Sequence, residues 1–221
     1  MEPIWNGVDG YFVEQLSLTD EVLEAALRDS AAAGLPAISV TATQGKFLAL
    51  QAQLLRARRI LEIGTLGGYS TIWMGRALPD DGALVTLEIN PRNAAVARRS
   101  LARAGLAQRT QVVVGPAAES LARLITERVM PFDLVFIDAD KENSVPYFDA
   151  SLALSHAGTV IIVDNVVREG AIIDGTSTDT NVLGMRRLTE RVAREPRVSA
   201  TVIQTVGSKG YDGFLMAMVK S

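Results

Sequence analysis

From residue 59 onward the chain alternates short apolar runs with helical segments, and this alternation restricts its fold more than any other feature. The runs are Ile60–Ile63, Ala83–Ile89, Gln111–Val114, Phe132–Ile137 and Thr159–Val163. Helical stretches between them cover about 69–77, 91–104, 117–128 and 143–154. The runs are apolar throughout instead of alternating, as strands are when helices cover both faces of a parallel sheet. Strands and helices in strict succession form right-handed βαβ units, so the expected fold is α/β with a doubly wound, mostly parallel sheet. Upstream, residues 19–33 and 43–57 read as two helices, with Val22, Leu23, Ala26, Leu27 and then Phe47, Leu48, Leu50, Leu54, Leu55 near the 3.6 period. Gly34-Leu35-Pro36 punctuates between them. A further helix is expected at about 181–194. The tail offers two strands, Ser199–Val206 and Gly213–Val219, around the turn-rich Gly207–Asp212. That is a hairpin, so one of its strands runs antiparallel to the rest. Without a repeat, linker or low-complexity tract, residues 1–221 are expected to form one domain, with 1–57 as a helical segment ahead of the sheet.

Composition removes several function classes. The net charge of -3 and pI near 5.3 argue against a nucleic-acid partner, which needs a basic face. Arg56-Ala57-Arg58-Arg59 and Arg98-Arg99 are read as solvated helix faces. The chain has no cysteine, so disulfides, thiolate nucleophiles and zinc–sulfur sites are excluded. Its single histidine, His156, sits in a turn before a strand and is read as structural. The start Met1-Glu2-Pro3-Ile4-Trp5 lacks the pattern of a signal peptide, and no apolar run reaches the roughly 18 residues of a membrane span. A cytoplasmic enzyme without a membrane partner is expected.

Ligands of open parallel sheets sit beyond the carboxyl ends of the strands, where strand order reverses. The first strand ends in Leu61-Glu62-Ile63-Gly64-Thr65-Leu66-Gly67-Gly68-Tyr69-Ser70, which opens a helix. Glycines let that backbone turn sharply, and the helix start offers free N–H groups. A dinucleotide fold wants G-x-G-x-x-G, but Leu66 and Tyr69 stand where the second and third glycines belong. An NAD-linked dehydrogenase is therefore disfavoured. Glu62, a carboxylate inside an apolar strand, needs partners. It either accepts from the loop's own amides or helps hold the ammonium of an amino-acid ligand, and the residues leave both open. Glu88, at the end of the second strand, is either a helix N-terminal acid before Pro91 or an acceptor for ribose hydroxyls; its agreement with the glycine loop favours ribose. Small residues in Gly115-Pro116-Ala117-Ala118 leave room for a flat base.

The fourth run ends Asp138-Ala139-Asp140-Lys141 and the fifth Asp164-Asn165. On neighbouring strands, about 5 Å apart, these would meet at one rim. Two carboxylates and an amide oxygen make a hard set that suits magnesium, calcium or manganese. For either site alone a cap or turn is the better account; their joint occurrence favours a metal. Such a cation lowers the pKa of a bound hydroxyl and orients it for attack.

Taken together, Ile60–Ser70, Gly115–Leu121, Phe132–Lys141 and Val163–Asn165 resemble the class I S-adenosylmethionine-dependent methyltransferases, in particular the metal-dependent catechol and caffeoyl-CoA O-methyltransferase family. The resemblance runs from about Val40 to the C-terminus. It implies a seven-stranded sheet with the final hairpin at one edge. It also implies that the Val40 backbone and Ser70 hold the methionine carboxylate, Gly64 and Thr65 line the amino-acid moiety, Glu88 takes the ribose and Ala117 packs on adenine. Asp138, Asp164 and Asn165 would be the metal ligands, magnesium first, and Lys141 the catalytic base. The acceptor implied is a small aromatic vicinal diol, and relatives that are dimers imply a homodimer. Many relatives carry an aromatic residue three positions after the Asp-Asn pair; here the order is Val166-Val167-Arg168-Glu169-Gly170. Arg168 either meets an anionic substrate or is solvated, and the Gly/Ser/Thr-rich stretch to about Asn181 is expected to form part of a substrate wall. Trp5, Tyr11 and Phe12 either cover the site, meet a second subunit or join the core. A metal-independent N- or C-methyltransferase is the main rival, but its Asn/Asp-Pro-Pro-aromatic signature is absent after the fourth strand. A non-catalytic module that kept the fold is a weaker one, since every implied metal position is filled.

Overall fold

The computed structural model describes residues 4–221; Met1–Pro3, the start of the segment read for a signal peptide, lie outside the described residues. Seven strands form one sheet: β1 (Arg59–Ile63), β2 (Ala83–Glu88), β3 (Thr110–Val114), β4 (Phe132–Ile137), β5 (Ser155–Asp164), β6 (Val198–Gly207) and β7 (Gly210–Val219). Their order is β3-β2-β1-β4-β5-β7-β6, so the expected doubly wound sheet with a C-terminal hairpin is present. All pairs from β3 to β5 are parallel, and β7 runs antiparallel to both β5 and β6. The order reverses between β1 and β4, which marks the rim where a ligand belongs.

Along β4 successive side chains go to opposite faces, as strand geometry requires. Leu134 and Phe136 join one core with Leu48, Ile60, Ile72 and Leu84; Val135 and Ile137 join the other with Leu61, Phe148, Ile161 and Leu188. The first core lies under α2 (Glu21–Ala32), α3 (Ala42–Leu54), α4 (Tyr69–Ala77) and α5 (Pro91–Arg103). The second lies under α6 (Ala117–Thr126), α7 (Ser144–Ala153) and α8 (Thr180–Ala193). Phe136 is fully buried, and its truncation to alanine carries a cost of about 3–5 kcal/mol. Asp20, Thr41, Asn90 and Asp179 start their helices by accepting from first-turn amides.

Several expectations are corrected. Residues Ile4–Gln15 form a helix, α1, for which the sequence reading gave no element; none of its residues is buried. Leu50 and Leu54 are exposed, because α3 turns its small residues Gly45, Ala49 and Ala52 inward. A Cβ on Gly45 would stand 2.3 Å from the Trp73 ring, so α3 and α4 pack too closely for leucines at that seam. Leu27 is half exposed and borders a cavity, and Ile89 lies in the loop beyond β2. β5 begins at Ser155, ahead of Thr159, and the hairpin pairs as far as Gly207 with Gly210, leaving Ser208-Lys209 as a two-residue turn. His156 sits at the start of β5, at the opposite end of that strand from Asp164, held between Asp133 and the Ala157 carbonyl. Among the described residues no helix is long and apolar enough to cross a membrane.

Candidate active site

A cavity of about 1080 Å³ opens at the carboxyl ends of β1, β2, β4 and β5. It is lined by Val40, Gly64, Thr65, Ser70, Glu88, Ala117, Asp138, Lys141 and Asn165, so one space gathers most of the residues singled out in the sequence. Glu62 and Asp164 are not on its wall; both are buried just behind it.

The β1 side is built by close backbone approach. Gly64 has φ +101°, and a Cβ there would lie 2.0 Å from the Asp138 carbonyl oxygen. Only glycine fits that position. Leu66, in the left-handed region at φ +50°, is held there by its N–H, which donates to Glu88 Oε2 at 2.8 Å. Glu88 Oε1 accepts from Asn90 N at 2.8 Å and from Asn93 Nδ2 at 3.3 Å. Its carboxylate therefore faces the cavity already fixed in direction, with lone pairs left for hydroxyl donors.

Within the protein Glu62 is met by three hydroxyls instead of the loop's amides. Ser70 Oγ donates to Oε1 at 2.6 Å, and Thr71 Oγ1 and Thr86 Oγ1 donate to Oε2 at 2.5 and 2.7 Å. Burial pushes its pKa up to about 7, against the pull of those three hydroxyls. Ser70 has one proton, and it is used on Glu62. In this arrangement anion capture falls to the unbonded amides at the start of α4, whose N-cap is Gly68 with no side-chain cap.

At the β4–β5 rim, Ile137 pairs with Val163, so Asp138 and Asp164 follow side by side on adjacent strands. Burial raises the Asp164 pKa to about 6; the Asp138 charge adds to the rise, while Lys141 and the Gln44 side chain oppose it. Lys141 Nζ donates to Asp138 Oδ1 at 3.0 Å, and the lysine side chain is only 9% exposed. Asn165 follows in the left-handed region at φ +57°. Asp138, Asp164 and Asn165 thus share one rim of the sheet, with Lys141 in contact with Asp138. Among the described residues there is no cluster of three or more His, Cys, Asp or Glu, so a cation held here would depend on the Asn165 amide as third protein ligand.

The structure also adds residues that the sequence did not point to. Asp140 is tied to Tyr147 Oη, 2.7 Å away, and to Asn143. Gly184 of α8 crosses the Lys141 backbone so closely that a Cβ would stand 2.2 Å from the Lys141 carbonyl oxygen. The hairpin tip, Ser208-Lys209, borders the cavity from the other side. The Asp140 contacts are local in the chain, whereas those of Gly184 and the hairpin tip depend on elements distant in it.

The model of a family described as O-methyltransferase matches residues 14–217. The chain belongs to the O-methyltransferase family. A catechol O-methyltransferase from Niastella koreensis is 49% identical over 98% of each chain. Another from Mycobacterium tuberculosis is 51% identical over 96% of this chain and 95% of its own. An O-methyltransferase from Bacillus cereus, solved in complex with SAH, superposes with a TM-score of 0.96 at 55% identity, over 98% of this chain and 99% of that one. Membership bears out the methyltransferase expectation and sets aside the dehydrogenase. For this O-methyltransferase, the cavity joins a glycine-loop half, suited to a nucleoside, to a charged half able to act on a hydroxyl.

Proposed function

We propose that this O-methyltransferase moves a methyl group from S-adenosylmethionine to one hydroxyl of a catechol-like small molecule, with a divalent cation, magnesium first, in attendance. The observation that carries the reading is that Asp138, Lys141 and Asn165 line the cavity formed by Gly64, Thr65, Glu88 and Ala117, with Asp164 buried just behind them on the strand next to Asp138. The relatives named for catechol methylation support the acceptor class.

The donor set fits a hard cation. Its ligands are all oxygen, and two carboxylates stand close enough for one to raise the other's pKa, a repulsion that a cation relieves. Asp138, Asp164 and Asn165 would hold it. When bound, it supplies the charge that makes a ligating hydroxyl more acidic. The remaining work belongs to the chain. Val40 and the α4 amides bind the amino-acid end of the methyl donor, beside Ser70, which Glu62 holds, while Glu88 takes the ribose and Ala117 the base. Lys141 Nζ is the group placed to take the acceptor hydroxyl proton. The oxygen lone pair then forms the O–CH₃ bond as the C–S bond breaks, its electrons leaving on sulfur, and the donor departs as a neutral thioether. The buried walls keep water from competing for the methyl group.

We further propose a homodimer. α1 exposes Ile4, Val8, Tyr11 and Phe12, with Leu16 just beyond its end, and the edge strand β6, against which it packs, exposes Val202, Ile203 and Val206. Apolar surface of that kind on an edge strand marks an interface. Sedimentation should show twice the chain mass.

The test of the main reading is methyl transfer from labelled S-adenosylmethionine to a catechol panel, with magnesium and then with a chelator. Activity that disappears with the chelator and returns with magnesium is expected. Full activity in chelator would remove the cation from the reaction, and transfer to amines alone would shift the reading to N-methylation.

A further inference from the structure

Two cationic side chains on the acceptor side of the cavity, Arg168 and Lys209, form no ion pair among the described residues. Of the charged groups nearby, Lys141 is held by Asp138, Asp140 by Tyr147 and Asn143, and Glu88 by backbone amides, while Asp179 lies near enough to Arg168 to feel its charge without pairing with it. The two cations come from neighbouring parts of the rim. Arg168 follows β5, and Lys209 is at the tip of the β6–β7 hairpin, whose β7 strand pairs with β5.

Both positions are held by structure. Arg168 and Glu169 sit one after the other in the left-handed region, at φ +55° each, which is unfavourable for side-chain-bearing residues. Asp212 Oδ1 on β7 fixes them by accepting from the Arg168 N–H at 3.0 Å and the Val167 N–H at 3.1 Å. Strain that a structure maintains in this way clusters at ligand clamps. The Arg168 Nε is buried with no hydrogen-bond partner among the described residues, a donor left for something to satisfy. The tip carrying Lys209 is anchored by Asp9 of α1, whose Oδ2 accepts from Ser208 N at 2.9 Å. Burial lowers the Lys209 pKa while Asp138 and Asp164 raise it, which agrees with an ammonium turned toward the oxygen set.

We propose that Arg168 and Lys209 bind a carboxylate carried by the methyl acceptor, so that this enzyme prefers catechol-type rings bearing an acidic side group over neutral ones. The inference rests on the reading of the cavity as a hydroxyl-methylating site, and it deepens that reading by naming the acceptor's charge. A guanidinium offers paired donors that match a carboxylate, and a lysine adds a point charge.

The test compares 3,4-dihydroxybenzoate with its methyl ester, which keeps the ring and both hydroxyls and loses the charge. Calorimetry on the protein loaded with S-adenosylhomocysteine and magnesium gives the two affinities, and turnover gives the two kcat/KM values. The acid should bind about tenfold more tightly than the ester. Arg168→Gln and Lys209→Gln should each shrink that ratio, the double variant should bring it to one, and Lys209→Arg should keep it. Equal affinity for acid and ester in the unaltered protein overturns the proposal. So does a ratio that survives in the double variant, or variants that weaken S-adenosylhomocysteine and leave the ratio intact, which would give the two cations to the cofactor. If the binding ratio behaves as expected but neither compound is methylated, the catechol reading fails while the carboxylate clamp stands.

Discussion

The two halves of the cavity handle charge in opposite ways. On the β1–β2 side, each carboxylate is satisfied by the protein itself: Glu62 by three hydroxyls, Glu88 by two amides and Asn93. On the β4–β5 side, Asp164 is buried beside another carboxylate, and Arg168 keeps an unpartnered buried donor. The first half is complete before any ligand arrives, and it recognises by shape and backbone. In the second half two carboxylates share one close cation, Lys141, so their charge is only partly balanced by the protein. Shifted carboxyl groups of this kind in a cleft are candidates for chemistry.

The contrast can be broken most directly at Asp164. Asp164→Ala should lower turnover by about 10³-fold and leave the calorimetric affinity for S-adenosylhomocysteine unchanged. Equal loss of both would make the residue part of the scaffold and erase the distinction between the halves. Next in size, Lys141→Ala should reduce kcat by about 10²-fold with little change in acceptor affinity. An unaltered rate dismisses Lys141 as the base.

The self-satisfied half makes its own prediction. Burial raises the folded-state pKa of Glu62 from the ordinary 4.5 to about 7, so the folded protein holds this proton more tightly than the unfolded chain. Its contribution to stability is therefore fully present below about pH 4.5 and is lost as pH rises through about 7. The difference in unfolding free energy between the unaltered protein and Glu62→Gln should change by about 3 kcal/mol between pH 5 and 8, in favour of the variant at the higher pH. A difference independent of pH would mean that the carboxyl titrates normally. Smallest, Gly184→Ala should destabilise by about 1–3 kcal/mol, although alanine favours helices, because its Cβ meets the Lys141 carbonyl. A stabilised variant would show that α8 does not press on the catalytic turn.

What was legible in the sequence follows the same division. The strands, their parallel order and the glycine loop were readable because hydrophobic runs and turn glycines are local signals. The oxygen set was readable because Asp138 and Asp164 each end an apolar strand. Glu62 was recognised as needing partners, but its partners come from Ser70, Thr71 and Thr86, which only the packed loop brings together. α1 carries Gly7 and Gly10, both poor helix formers, and buries nothing, so its helical propensity was weak. The hairpin turn was drawn too long because Tyr211 and Asp212 look like turn residues, whereas they pair with Val206 and Thr205. Lys209 and Gly184 were overlooked since their meaning arises only where distant elements touch.

The central claim is that oxygens from the adjoining ends of β4 and β5 grip a divalent cation. Anomalous scattering from crystals grown with manganese and S-adenosylhomocysteine measures this directly. A single peak ligated by Asp138, Asp164 and Asn165, absent in Asp164→Ala, is the predicted result. No peak at that rim in crystals of the active enzyme, or a peak held by other residues, would contradict it.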